Sequence, residues 1–149
     1  MVHIQSLLEP PPVARELIQR AADATLAHEK TRGELTVVLA DDAQLQALNL
    51  RYLGIDAPTD VLSFPASERD PESGASYLGD ILISVSRAES QARAAGHTLE
   101  SEVQLLVVHG VLHLLGHDHA LAEAKTGMWA AQRDVLAGLG LPDIVIGEL

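Results

Sequence analysis

Hydrophobic positions in the first third of the chain follow strand and helix spacings in turn. Residues 3–7 alternate as in a short strand, and residues 35–40 form a run rich in β-branched side chains that also predicts a strand. Between them, apolar residues recur at helical spacing from residue 13 to about residue 30. The prolines at 10 to 12 precede this helix, whose first turn tolerates proline.

Two capping boxes indicate where further helices begin. Asp41 with Gln44 fits a box that opens a short helix, and Ser86 with Glu89 fits a second box. The helix predicted after Ser86 ends near Gly96.

The remaining pattern predicts two more strands and a helix-rich second half. Strands are expected at residues 60–64 and 77–84, with a polar loop between them. Residues 100–115 are apolar on nearly every side, as in a helix through the centre of a domain. The last helix has an apolar stripe made of Met128, Ala131, Val135 and Leu139. This order predicts an α+β fold with a small mixed sheet of about four strands packed with helices.

Composition narrows the class of protein. A length of 149 residues with 47% apolar content predicts one domain, residues 1–149. No apolar run approaches the roughly 20 residues of a membrane span, so no membrane partner is expected. Because the chain lacks cysteine, a metal would need histidine, carboxylate or water ligands, and the cytoplasm is the default compartment.

The net charge of -11 argues against a broadly basic nucleic-acid-binding surface. An enzyme that cuts and releases RNA can still bind through a local basic strip. Arg51, Arg87 and Arg93 are the candidates for such a strip.

Three histidines on and after the predicted central helix carry the clearest chemistry. His109 and His113 are four positions apart, so they share one helix face. Gly116 can end the helix in a left-handed conformation and return His119 to the same point. Three neutral imidazoles with an open fourth position describe a catalytic zinc site with one ion per chain. The alternative, histidines satisfied within the fold, needs a separate buried partner for each.

The same histidine spacing also matches a class of metallopeptidases. In those enzymes a glutamate follows the first histidine and acts as the general base. Here that position is Gly110, and its missing carboxylate argues against proteolysis.

The segment HGVLHLLGHDH, residues 109–119, resembles the signature HGxLHLxGYDH of the YbeY family of bacterial endoribonucleases, the ribosomal RNA maturation factors. Segments 48–64 and 78–84 agree with the family in the same order. The resemblance implies a metal-dependent endoribonuclease directed at single-stranded RNA, with ribosomal RNA precursors as substrates. It implies zinc as the metal, and the ribosome or its proteins as further partners. The implied zinc ligands are His109, His113 and His119.

Two positions depart from the family pattern. Leu53 stands where the family usually has an arginine suited to binding phosphate, and Arg51 is the nearest candidate to replace it. His117 stands where the family has tyrosine. It could form a similar hydrogen bond or be a fourth histidine near the metal.

Several polar residues near these segments have two interpretations. Asp118 could orient a histidine ligand or cap the turn after Gly116. Asp60, Ser63 and Asp80 could line a cleft or serve turns and caps, and for Asp80 the second interpretation is favoured. Met128 and Trp129 are expected to pack in the core and its grooves. Surface positions are expected for His3, His28 and His97.

Two rival functions stay open at this point. One is another metallohydrolase on the same scaffold, including a peptidase. The other is a ribosome-associated binding module whose metal is only structural, an alternative that Leu53 favours.

Overall fold

The computed structural model describes residues 2–57, 59–69, 76–117 and 122–141, which form four strands and five helices. This α+β architecture confirms the predicted fold class. In chain order the elements are β1 (Val2–Ser6), α1 (Arg15–His28), β2 (Glu34–Ala40), α2 (Asp42–Leu53), β3 (Val61–Arg69), β4 (Ser76–Ser84), α3 (Val85–Ala95), α4 (Leu99–Leu114) and α5 (Ala122–Gly138).

The four strands form one mixed sheet in the order β1-β2-β4-β3. β1 and β4 both run parallel to β2, whereas β3 runs antiparallel to β4. β3 is longer than the predicted strand at 60–64 and begins one residue later. The predicted polar loop after it, residues 70–75, lies outside the described residues.

The register of the sheet decides which side chains share a face. Val37, Ile81 and Ser63 are aligned across β2, β4 and β3, so they lie on one face. Thr36, Asp80 and Phe64 are aligned one position away, so they lie on the opposite face.

Helix α4 lies at the centre of the molecule, as its apolar pattern predicts. Every residue from 102 to 112 is buried. The helix contacts α1, α3 and α5 as well as strands β3 and β4. It covers the face of the sheet that carries Ile81, because a side chain at Gly110 would meet Ile81. A smaller apolar cluster on the other face includes Leu45 of α2 with Leu62 and Leu82.

One of the two predicted capping boxes is present and the other is wrong. Asp41 and Gln44 form the expected reciprocal pair at the start of α2. Helix α3 begins at Val85 instead of after Ser86, because the hydroxyl of Ser84 accepts the N–H of Arg87 at 3.3 Å. The Ser86 hydroxyl is engaged by the N–H of Asp42 at 3.2 Å and takes no part in a capping box. Tertiary contact with α2 therefore decides which serine caps the helix.

A bilayer-spanning helix, long and apolar throughout, does not occur in the described ranges.

Candidate metal centre and its cleft

Two histidines lie side by side one turn apart on α4. Their Nε2 atoms are 3.0 Å apart. His109 is buried, with 2% of its surface exposed, and His113 is half-buried. Two nitrogen ligands about 2.0 to 2.1 Å from one tetrahedral zinc ion are about 3.3 Å apart, so the pair fits a shared ion.

The other ring nitrogen of His109 contacts helix α5. Its Nδ1 lies 2.5 Å from Oε1 of Gln132, a residue that is itself buried. The Trp129 ring, one turn earlier on α5, lies 6.5 Å from the His109 ring between centroids. Helix α5 therefore contacts His109 on the side away from the shared Nε2 pair.

The turn after α4 begins as its glycine predicts. Gly116 has a φ of +95°, and the N–H of His117 bonds the carbonyl of Leu112 at 3.0 Å. Asp118 and His119 lie outside the described residues, and all three proposed ligands stay predictions. Within the described residues, no group of three or more His, Asp or Glu side chains is arranged to hold a metal.

His117 is tied to the end of α1 by Glu29. Its Nε2 makes a short contact with Oε1 of Glu29, while Oε2 of Glu29 lies 2.8 Å from Nδ1 of His28. Burial raises the pKa of Glu29, but hydrogen bonds and electrostatic attraction to His117 and His28 together lower it more, so the net shift is downward. Of the two roles proposed for His117, the described contacts match the hydrogen-bonding one.

A cleft of about 330 Å³ opens beside the histidine pair. Its walls come from the end of α2, from the segment before β3 and from the start of β3. The lining residues are Leu53, Thr59, Asp60, Val61, Leu62, Ser63, Pro65, His109 and His113.

Asp60 and Ser63 line this cleft and also hold the backbone around it. The two carboxylate oxygens of Asp60 accept from the N–H of Val61 at 2.9 Å and from the amide of Gln91 at 3.2 Å. The Ser63 hydroxyl donates to the carbonyl of Gly110 at 3.4 Å. Asp60 therefore combines a place in the cleft wall with a local backbone contact, whereas Ser63 lines the cleft and bonds a carbonyl in the middle of α4, which is neither a turn nor a cap.

Asp80 lies apart from the histidines, on the opposite face of the sheet. It accepts a short hydrogen bond from the Tyr77 hydroxyl, which also contacts Thr36 at 2.6 Å. Burial raises the pKa of Tyr77, and the hydrogen bond to Asp80 raises it further. Asp80 occupies the middle of β4, so it caps neither a turn nor a helix.

The three candidate arginines contribute little free charge to the cleft. The guanidinium of Arg51 lies over the Tyr52 ring, 5.3 Å from its centroid. Arg87 pairs with Asp42 at 2.8 Å, and Arg93 with Glu89 at 2.6 Å. Leu53, rather than Arg51, stands in the cleft wall.

Gly110 occupies the position of the peptidase general base and packs closely against Ile81 of β4. A Cβ at this position would lie 2.8 Å from Cγ2 of Ile81 in β4. A side chain here is directed at the sheet, whereas His109 and His113 face the cleft.

The structure also tests the predicted burial of one methionine and three histidines outside the metal site. Met128 is buried in the core, as expected. His3 and His28 are exposed, but His97 is half-buried and lies 3.5 Å from Glu102. The surface prediction for His97 is therefore wrong, because this histidine packs against a buried carboxylate.

Sequence reasoning missed Gln132 and Glu29. Gln132 had a usable signal: it interrupts the apolar stripe of α5, between Met128 and Val135. No sequence signal indicated Glu29, because its contact partner His117 lies 88 positions away in the chain.

The fold and the site define an α+β protein whose buried central helix presents two adjacent histidines to an open cleft. The family model described as Endoribonuclease YbeY matches residues 9–140, and the chain belongs to this family. The resemblance seen in residues 109–119 is thereby confirmed.

Named relatives agree over most of the chain. The protein named Endoribonuclease YbeY from Moorella thermoacetica is 45% identical over 142 residues, covering 87% of this chain and 91% of that protein. Its namesake from Geobacillus kaustophilus is 41% identical, covering 94% and 97%. The solution structure of TM1509 from Thermotoga maritima has a TM-score of 0.61 at 25% identity, with full coverage of both chains.

Proposed function

We propose that this chain is a zinc-dependent endoribonuclease that cleaves single-stranded RNA during ribosomal RNA maturation in the cytoplasm. One observation carries the metal part: two imidazole Nε2 atoms lie 3.0 Å apart at the wall of an open cleft. The relatives named endoribonucleases support RNA as the substrate. His109, His113 and His119 are the proposed ligands of one ion.

The chain's own residues have separable tasks in this proposal. A zinc ion, when bound, would polarise a phosphoryl oxygen or activate water. His109 and His113 would hold it from α4, in the wall of a cleft that also carries the Asp60 carboxylate. The cleft volume of about 330 Å³ lies at the lower end of the range for small-ligand sites. A cleft of this size suits single-stranded RNA that enters one nucleotide at a time.

The charge distribution favours weak binding and release. The chain has a net charge of -11, and two of the three candidate arginines are in ion pairs. Few phosphates can be neutralised, so the salt dependence of RNA binding should be shallow. Ribosomal RNA precursors presented by the ribosome or its proteins would supply the affinity that this surface lacks.

Two residues distinguish the proposed function from its rivals, a peptidase and a binding module. A peptidase is disfavoured because position 110 faces Ile81 and not the cleft. A binding module with a structural metal is favoured by Leu53, an apolar residue in the cleft wall where the family pattern has arginine.

The test compares zinc-loaded protein with chelator-treated protein on three substrates: single-stranded RNA, the same RNA in a duplex, and casein. We expect about one zinc per chain by elemental analysis, and cleavage of the single strand only. His113→Ala should lose both metal and cleavage, whereas His3→Ala, at an exposed histidine, should keep both.

Each rival has its own outcome. Zinc-dependent casein cleavage would favour the peptidase, and zinc binding without cleavage of any substrate would favour the binding module. Equal zinc content in His113→Ala and the parent would reject the proposed ligands. A ribosomal RNA precursor serves as a fourth substrate, and cleaving it no faster than an unrelated single strand would reject the maturation role.

A further inference from the structure

Gln132 is a polar residue on the buried face of α5, where the neighbouring residues are apolar. It is 1% exposed, and its neighbours on the inner face of α5 are Met128, Ala131, Val135 and Leu136, all buried. Its amide Nε2 is buried without a hydrogen-bond partner among the described residues. Burying such an amide costs free energy, which only a specific interaction can offset.

The specific interaction is the 2.5 Å contact between Oε1 of Gln132 and Nδ1 of His109. An amide oxygen can only accept, so Nδ1 must carry the proton. In a neutral imidazole the lone pair then lies on Nε2, the atom that faces His113 at 3.0 Å. The contact therefore selects the tautomer that can bind a metal through Nε2.

We infer that Gln132 is a positioning residue that holds His109 in the Nδ1–H tautomer and aims its Nε2 at an ion shared with His113. The inference rests on the metal-binding part of the proposed function. Acceptors of this kind behind metal-bound histidines typically change metal affinity by about 10- to 100-fold.

Two substitutions separate the hydrogen bond from the volume of the side chain. Gln132→Met keeps a similar length but has no good acceptor, and Gln132→Glu keeps an acceptor oxygen. Gln104→Met is the matched control. Gln104 is a second buried glutamine, located on α4 about 140° around the helix from His109.

The first measurement is the zinc dissociation constant, from competition with a chromophoric chelator. We expect Gln132→Met to raise this constant about 10- to 100-fold, and Gln132→Glu to keep it at or below the parental value. Gln104→Met should leave it unchanged. Gln132→Met binding zinc as tightly as the parent would overturn the inference.

The second measurement needs no metal. In chelator-treated protein at about pH 8, where imidazoles are neutral, ¹⁵N NMR reports which His109 nitrogen carries the proton. The parent and Gln132→Glu should show the Nδ1–H form, and Gln132→Met should lose it. A parental spectrum without the Nδ1–H form would also overturn the inference. If the parent binds no zinc yet shows this form, the proposed function fails while the tautomer selection stands.

Discussion

Leu53 lies at the wall of the cleft with 53% of its surface exposed, so its side chain is not part of the core. An arginine there would bring a guanidinium to the histidine pair without displacing packed atoms. The family pattern has an arginine at the position that Leu53 occupies in this chain. A guanidinium is well suited to binding phosphate.

We therefore predict that Leu53→Arg raises cleavage of single-stranded RNA about fivefold in kcat/KM, since a partly exposed charged contact contributes about 1 kcal/mol. The slope of log affinity against log salt should steepen by about 0.7, the value for one added phosphate contact with a single strand. Arg51 lies over Tyr52 and does not line the cleft, so Arg51→Ala should lower cleavage only slightly and leave zinc content and fold unchanged.

The matched control is Leu50→Arg, which adds the same charge at a residue of α2 with 49% exposure that does not line the cleft. An equal gain from Leu50→Arg would mean that net charge, and not position, raises the rate. Parental cleavage by Arg51→Ala at every salt concentration would show that Arg51 has no part in binding.

Helix α4 packs tightly against β4 at Gly110, where a Cβ would lie 2.8 to 3.2 Å from three atoms of Ile81. This approach places His109 and His113 over the edge of the cleft. A larger residue at 110 would push helix and strand apart, and with them the ligand pair and the Ser63 hydroxyl bound to the Gly110 carbonyl.

Gly110→Ala is predicted to lower the free energy of unfolding by about 1 kcal/mol. Overpacking costs about 1–3 kcal/mol, and the gain in helix propensity returns about 0.5–1 kcal/mol. Urea denaturation followed by circular dichroism measures the difference.

Gly127→Ala provides the control, because Gly127 lies in α5 and a Cβ there would have no atom of the described residues within 4 Å. It should stabilise the protein instead. Gly110→Glu should give no peptidase activity, since its side chain is directed at the sheet. Stabilisation by Gly110→Ala equal to that by Gly127→Ala would contradict the close packing.

The pH dependence of unfolding is a property of the whole molecule, and a buried carboxyl contributes to it here. Glu102 is 4% exposed, and burial raises its pKa above the ordinary glutamate value although His97 lies 3.5 Å away and lowers it in part. Asp60, in the cleft wall, raises it further. The folded state therefore holds the Glu102 proton more tightly than the unfolded chain does.

It follows that Glu102 favours folding at low pH and that this contribution is lost as pH rises from 4.5, the ordinary value, through the raised pKa. Glu102→Gln should reduce the decline in unfolding free energy across this window, by at most about 1.4 kcal/mol per pH unit. The measurement is urea denaturation at a series of pH values.

Glu100→Gln, at an exposed glutamate of the same helix, should leave the decline in place. A steeper decline in Glu102→Gln than in the parent would mean that the ion pair with His97 outweighs the burial.

What the sequence determined by itself was local. The helical period places His109 and His113 on one face whatever surrounds them, because a separation of four residues is one turn. Asp41 with Gln44 and the glycine at 116 also depend on hydrogen bonds and backbone angles within a few residues. These features place two of the three proposed ligands on one helix face, and the order of strand and helix patterns along the chain suffices for the fold class.

Only the tertiary structure decided which residues surround His109 and His113. The insertion of β4 between β2 and β3 places Ser63 on the α4 face of the sheet and Asp80 on the other. Gln132 reaches His109 across 23 positions, through the packing of α5 on α4. Such contacts depend on how elements pack, and packing is set by the summed burial of many side chains, which no single motif encodes.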